Sequence, residues 1–373
     1  MLDLWLVLVL SAAGYLALAL FLATRSNRTL DSDEQHTLST GDGWTLTLER
    51  YRPASDAPRH PTPVVLAHGL CMNGVSWALS RRASIPKALA DQGHDVWIAA
   101  YRGERSATSP HGSSVRARFQ YGLDDHAFQD VPAIIEAVRE HTGSERVNWV
   151  GHSMGGILIY LYASRFGCDH LGRVVTLSSP VVYGDLGGAL RPLLPIATRL
   201  LGWQCRAPLR RHFIYLLPLA LFLPWISSAF AMHLPNTTVR ERLTLFRGAV
   251  EDVSWQLLNW FFLHPTNGIT TLFESGQPGL DRMTAPLLVV GSTGDRLAPV
   301  PSVRPGFDLA GATEKRWLLY GDEAQMGPSF GHSDLASSAP AVQWLLPEIV
   351  AWLEDRQNHS QTEHPQASAV EGH

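Results

Sequence analysis

Residues 147–156 read Val-Asn-Trp-Val-Gly-His-Ser-Met-Gly-Gly, and the apolar run Ile157-Leu-Ile-Tyr-Leu-Tyr162 follows at once. An extended apolar run that passes through Gly-x-Ser-x-Gly into a helical run forces a serine into a tight strand-to-helix turn. That turn closes only where its neighbours, here Gly151 and Gly155, lack side-chain bulk. A buried strand must lie beneath such a turn and a helix against it, which points to an α/β architecture. The rest of the chain agrees. Short β-branched runs at 44–51, 64–67, 95–100, 147–150, 174–177, 287–290 and 317–320 alternate with helix-length segments at 85–92, 125–141, 154–165 and 341–355. This alternation predicts a mostly parallel sheet flanked by helices. It breaks after Pro180, so residues 36–180 and 285–355 are expected to form the core and residues 181–284, rich in Leu, Pro, Trp and Arg, an inserted cap.

A serine hydroxyl is a poor nucleophile near neutral pH. It needs a base, and the base needs a carboxylate to fix its tautomer and stabilise the imidazolium. With Ser153 as nucleophile, the partners follow in the order acid, then histidine. The run Leu287-Leu-Val-Val-Gly-Ser-Thr-Gly-Asp295 is a strand ending in a loop that carries Asp295, and Gly331-His-Ser-Asp334 supplies His332 beyond the next strand. Asp334 and Asp322 are the rival acids, read as local hydrogen-bond or turn residues. An oxyanion hole takes two backbone N–H groups, one from the residue after the nucleophile and one from the loop after an early strand. Those are Met154 and Leu70. His68 is expected to pack and hydrogen-bond beneath the Leu70 loop, and Cys71, with no base beside it in the sequence, to be structural.

Residues 4–23 carry no charge, and about twenty helical residues cover roughly 30 Å of bilayer core. Asp3 precedes them without Lys or Arg, and no small-x-small cleavage pattern follows. Residues 1–30 are therefore expected to be a single-pass membrane anchor. Arg25 and Arg28 point to the cytoplasmic side of the membrane, against Asp31, Asp33 and Glu34 just beyond. A second apolar stretch, 213–232, is also long enough to span. Pro218 and Pro224 are expected to interrupt it, and a crossing there would put Ser153 and His332 on opposite sides of the bilayer. It should instead form buried cap core, line an acyl-binding cleft as a lid, or lie on the membrane, with Arg206, Arg210, Arg211 and His212 on a solvated face or near lipid headgroups or a substrate phosphate. Residues 356–373 are polar and aperiodic and should stay unfolded. A net charge of −4 leaves no basic field for nucleic acid. Three cysteines, Cys71, Cys168 and Cys205, make neither a disulfide framework nor a zinc spacing. Lys87 and Lys315 are the only lysines, a bias expected of GC-rich coding and so of a bacterial inner membrane protein.

Several stretches besides the elbow resemble one family in succession. They are Asp42-Gly-Trp-Thr-Leu46, Tyr51-Arg-Pro53, Pro63-Val-Val-Leu-Ala-His-Gly-Leu70 with Trp77, Gly93-His-Asp-Val-Trp-Ile-Ala-Ala-Tyr-Arg-Gly103, Asp130-Val-Pro-Ala133 and Thr142-Gly143. Over residues 40–180 and 285–355 the chain resembles the α/β-hydrolase superfamily, and within it the acid lipase family of gastric and lysosomal lipases. The resemblance implies the α/β-hydrolase fold. It also implies Ser153, Asp295 and His332 as the triad, Leu70 and Met154 as oxyanion residues, and a His-x-Asp ending at His332-Ser-Asp334. One departure is the elbow, where His152 stands in place of the family's glutamine. The cap carries no similarity, and the cap selects substrate. The expected function is cleavage of carboxylic esters of lipids through an acyl-enzyme. An acyltransferase or thioesterase on the same triad, or a catalytically silent lipid-binding protein, are the alternatives. No nucleotide, flavin or metal motif occurs, so no cofactor is expected. The expected partners are a lipid or ester substrate and the bilayer.

Overall fold

The computed structural model describes residues 10–11, 13–19, 21, 29–182, 205–222, 232–263, 279–321 and 326–355. Eight strands make one sheet: β1 (Glu34–Ser39), β2 (Thr45–Tyr51), β3 (Val64–Ala67), β4 (Val96–Ala99), β5 (Val147–His152), β6 (Leu171–Leu177), β7 (Leu287–Ser292) and β8 (Lys315–Tyr320). Their order across the sheet is β1-β2-β4-β3-β5-β6-β7-β8. The first two pairings, β1 with β2 and β2 with β4, are antiparallel, and the rest are parallel.

The helices that cover the sheet and the site are α1 (Ile85–Asp91), α2 (Val131–Thr142), α3 (Met154–Phe166), α4 (Leu209–Phe222), α5 (Trp255–Leu263) and α6 (Leu346–Leu353). Strands β3 and β4 read VVLA and VWIA and are buried at every position, as parallel strands covered on both faces must be. Successive side chains of β3 enter opposite layers. Val65 and Ala67 join Trp149, Ile134 and Ile157 beneath α2 and α3, while Val64 and Leu66 join Leu89, Ile349 and Trp352 beneath α1 and α6.

Strand β1 had no counterpart among the predicted strands. Its sequence EQHTLS buries only Leu38 fully, and as an edge strand it keeps charge that blunts further pairing. Glu34 accepts from Arg50 Nη1 of β2 at 3.0 Å. Local apolar periodicity carries little trace of such a strand, because its stability comes from the β2 ladder.

Three stretches far apart in the chain meet on one buried guanidinium. Arg102 donates from Nε to Asp130 Oδ1 at 2.9 Å and from Nη1 to Asp42 Oδ2 at 2.8 Å. Asp130 is wholly buried and also accepts from His126 Nδ1 at 2.8 Å. Arg102 is held above its ordinary pKa: burial opposes this, and the Asp130 and Asp42 charges outweigh burial.

Among the described residues, the stretch between β6 and β7 adds no strand to the sheet. Residues Arg206–Ala207 pair antiparallel with Val253–Ser254, and Met232, Phe246 and Val250 pack on Val75 and Leu79 of the stretch after β3. Helix α4 corrects one expectation, since it runs through Pro218 to Phe222 without a break. Proline supplies a helical φ and forfeits one N–H, which a packed helix can absorb. Pro224 lies outside the described residues, as do residues 356–373 and most of the expected anchor at 1–30. Within that anchor, residues 10–11, 13–19 and 21 are helical. No described helix is long and apolar enough to cross a membrane.

Candidate active site

Ser153 sits between β5 and α3 at φ 52° and ψ −116°, a backbone conformation that a non-glycine residue adopts only when its surroundings force it. The surroundings are specific. The Ser153 N–H donates to the Leu177 carbonyl of β6 at 2.8 Å. A Cβ on Gly155 would lie 2.2 Å from the Ala67 carbonyl oxygen of β3, and one on Gly151 would lie 2.5 Å from the Gly155 carbonyl. Trp149 Nε1 donates to the Gly155 carbonyl at 3.0 Å and pins the start of the helix to the strand beneath it.

The Ser153 hydroxyl donates to His332 Nε2 at 2.8 Å, and His332 Nδ1 donates to Asp295 Oδ2 at 2.8 Å. Asp295 lies in the turn after β7, where its Oδ1 accepts from the Leu297 and Ala298 N–H groups at 2.9 and 2.8 Å. Those two bonds aim the other oxygen at the imidazole. Burial works to raise the Asp295 pKa, but the His332 ring beside it holds the carboxyl below its ordinary value. The histidine loop is fixed to the sheet by Ser292 of β7, whose hydroxyl donates to the Phe330 carbonyl at 2.8 Å and accepts from the Phe330 N–H at 2.9 Å.

Of the rival acids, Asp322 lies outside the described residues, and Asp334 turns elsewhere. Asp334 Oδ2 accepts from the Gly331 N–H at 3.1 Å and from Asn236 Nδ2 at 2.6 Å, and its Oδ1 accepts from the His233 N–H at 2.8 Å. The sequence suggested a bond within its own loop. The bonds to His233 and Asn236, from the stretch between β6 and β7, could not be read there, and they tie that stretch to the histidine loop.

Leu70 and Met154 flank the serine. Met154 opens α3, so its N–H is one of the amides with no acceptor inside the helix. Leu70 follows Gly69, where a Cβ would stand 3.2 Å from Ser153 Cβ, tighter than an ordinary contact, so glycine lets this loop lie close against the elbow. Beneath the loop, His68 Nε2 faces Glu104 Oε1 at 2.9 Å while its Nδ1 donates to the Gly69 carbonyl at 3.0 Å. Burial pulls the His68 pKa down, and the Glu104 charge more than reverses it. Each ring nitrogen thus faces an oxygen acceptor. Beyond the loop, Asn73 Nδ2 and Arg105 Nε both donate to Glu251 Oε1, at 2.7 and 2.8 Å, and the Glu251 N–H donates to the Cys71 carbonyl at 2.8 Å. Burial, with Asp252 nearby, pushes the Cys71 thiol up to about 12, so it is not a nucleophile near neutral pH.

Sequence reading gave His152 no role. Its Nε2 donates to the His332 carbonyl at 2.8 Å, so the residue beside Ser153 holds the backbone of His332. Burial, and then the neighbouring His332, drive its pKa from 6.5 to about 3. The departure at the elbow was the available signal. Of the arginines expected near headgroups, Arg206 Nη1 lies 3.6 Å from Asp252 Oδ2, and the Arg210 backbone N–H donates to Asp252 Oδ1 at 3.0 Å.

Known proteins bear on this arrangement. Triacylglycerol lipase 2 of Arabidopsis thaliana is 31% identical over 187 residues, 46% of this chain and 44% of that protein. Human lysosomal acid lipase/cholesteryl ester hydrolase is 32% identical over 138 residues, 35% of each chain. This chain thus spans less than half the length of these curated relatives, and over that part it resembles acid lipases. The crystal structure of the Paleococcus ferrophilus monoacylglycerol lipase superposes with a TM-score of 0.56 at 16% identity, over 83% of this chain and 98% of that one, a likeness of fold. A family model described as the alpha/beta hydrolase fold matches residues 62–322. That span runs from the oxyanion loop through the elbow to the strand that precedes the histidine, and with the strand order it makes this chain a member of the alpha/beta-hydrolase fold family.

Proposed function

We propose that the protein is a serine hydrolase that cleaves carboxylic esters of lipids through an acyl-enzyme intermediate. The observation that carries the reading is the unbroken chain of hydrogen bonds from Ser153 to His332 to Asp295, 2.8 Å at each link. As Ser153 Oγ attacks the ester carbonyl, its proton passes to His332 Nε2, and Asp295 stabilises the imidazolium that forms. The Leu70 and Met154 N–H groups receive the oxyanion. His332 then protonates the departing alcohol. Water, deprotonated by the same nitrogen, splits the acyl-enzyme and releases the fatty acid. Relatives named as a triacylglycerol lipase and a cholesteryl ester hydrolase support lipid esters as the substrate class. In this reading residues 181–284 form the cap that shapes the acyl site. Ser153→Ala is expected to keep the fold and to lose several orders of magnitude in hydrolysis, together with labelling by a fluorophosphonate. Lipid-extract hydrolysis read by mass spectrometry checks it, and retained hydrolysis or labelling at another serine would overturn the assignment.

In the same reading residues 1–30 hold the protein at a bilayer. Leu10, Leu16, Leu18 and Phe21 stand exposed on the helical part, and the Tyr15 hydroxyl donates to the Tyr215 carbonyl of α4. This sets the apolar segment beside the proposed cap, where long acyl chains would arrive from the membrane. Deleting residues 2–28 should move the protein from the membrane fraction to the soluble one while hydrolysis of a short soluble ester persists. A truncated chain that still sediments with membranes would count against the anchor.

A further inference from the structure

Ser153, Asp295 and His332 follow the C-terminal ends of their strands, and the opposite end of the sheet carries a second cluster of chemistry-bearing side chains. His60 lies just before β3, His94 just before β4, and Glu354 caps the end of α6. His60 Nε2 is 3.0 Å from Glu354 Oε1 and His94 Nε2 is 3.7 Å from the same oxygen. The two rings stack with centroids 4.0 Å apart and planes 12° from parallel, so two imidazoles converge on one carboxylate. One ligand atom from each residue lies within 4.8 Å of the other two.

We propose that His60, His94 and Glu354 form a binding site for a divalent transition-metal ion of the zinc type, which clamps the last helix to the core. Two imidazole nitrogens and one carboxylate oxygen are a donor set that zinc accepts. Bonds of about 2.0–2.1 Å in a tetrahedron set its ligand atoms roughly 3.3 Å apart, and the two nitrogen-to-oxygen distances, 3.0 and 3.7 Å, fall either side of that value. For both lone pairs to reach one ion the stacked rings must also turn out of parallel, a movement open to the partly exposed His60 side chain.

Burial is graded as a metal site requires. The His94 and Glu354 side chains are 1% and 6% exposed while His60 is 24% exposed. Two ligands are therefore fixed in the interior, and the third borders a cavity of about 360 Å³ also lined by Asp56, Asp91 and Gln92. That opening leaves a fourth position for water, and the nearby acids favour entry of a cation. His60 Nε2 also lies 3.2 Å from the Gln92 carbonyl, a contact that a metal at this nitrogen would replace, with the ring proton carried on Nδ1. The sequence carried no metal signature because the three ligands come from distant parts of the chain, outside any short spacing motif.

The test uses the full chain, stripped with chelator and titrated with zinc by calorimetry, with cobalt(II) as the spectroscopic probe. The expected result is one tight zinc per chain, visible d–d bands of four-coordinate cobalt, and a zinc-dependent rise in Tm. His60→Gln and Glu354→Gln should each weaken zinc at least about tenfold, since loss of an outer-shell partner alone costs that much. Both should abolish the Tm rise and leave short-ester hydrolysis unchanged. If Glu354→Gln does not fold, His60→Gln and the wild-type cobalt spectrum decide the matter. A wild type that binds no stoichiometric zinc overturns the proposal. So does undiminished binding in the folded variants, as would follow if histidines elsewhere were the ligands.

Discussion

His152 shows how much one side chain beside the proposed nucleophile, Ser153, can set. Its Nε2 proton is committed to the His332 carbonyl, and the buried ring titrates near 3 instead of 6.5. Between those values the unfolded chain binds a proton that the native chain refuses. Stability is therefore fully present above pH 6.5 and is lost as the pH falls toward 3, by up to about 1.4 kcal/mol per pH unit from this group. His152→Gln keeps a donor for the His332 carbonyl and never takes a proton. It is expected to flatten the fall in stability across that window, read as urea midpoints at pH 7, 5.5 and 4.5. Parallel curves for variant and wild type would refute the role. His68, with an acceptor at each nitrogen, shows the opposite outcome for a buried imidazole. Neither shift could be read from sequence, because each depends on neighbours brought in from other strands and loops.

At the scale of elements, the site depends on loops that grip one another. Asp334 holds His233 and Asn236 to the histidine loop, while Asn73 and Arg105 hold Glu251 near the oxyanion loop. The two aspartates near His332 should therefore fail differently. Asp295→Asn leaves His332 without the partner that fixes its tautomer, and kcat should fall by about 10⁴-fold. Asp334→Asn replaces one of the two acceptor oxygens with a donor, so at least one of the three N–H groups bound there loses its acceptor. It should cost about 1–3 kcal/mol of stability and raise KM on long-chain esters, with kcat on a short soluble ester much less affected. Steady-state kinetics on both substrates with thermal unfolding separate the two, and a larger kcat loss in Asp334→Asn would reverse the roles. Strands such as β3 and β5 were legible because every position faces a layer of the core. Strand β1 was not, because solvent covers most of it, and α4 runs through a proline that local rules treat as a break.

Across the whole molecule, Arg102 joins the β1–β2 turn, the stretch after β4 and the start of α2 through Asp42 and Asp130. Removing one member of a buried ion pair strands the others, so Arg102→Met is expected to cost about 3–5 kcal/mol, measured by urea unfolding. A loss under about 1 kcal/mol would show that the pair contributes only geometry. The three motifs it joins were visible as separate stretches, but their meeting was not. Local pattern specified the strand-to-helix serine, the alternation that yields a parallel sheet, and the histidine and the strand-end acid in their order along the chain. Those features rest on steric limits and periodicities that act within a dozen residues. The assembled fold set the rest: that Asp334 faces Asn236, that His152 holds the base, and that His60, His94 and Glu354 converge at the far end of the sheet. Each of these is a distance of a few ångströms between residues remote along the chain, and such distances exist only after the layers have packed.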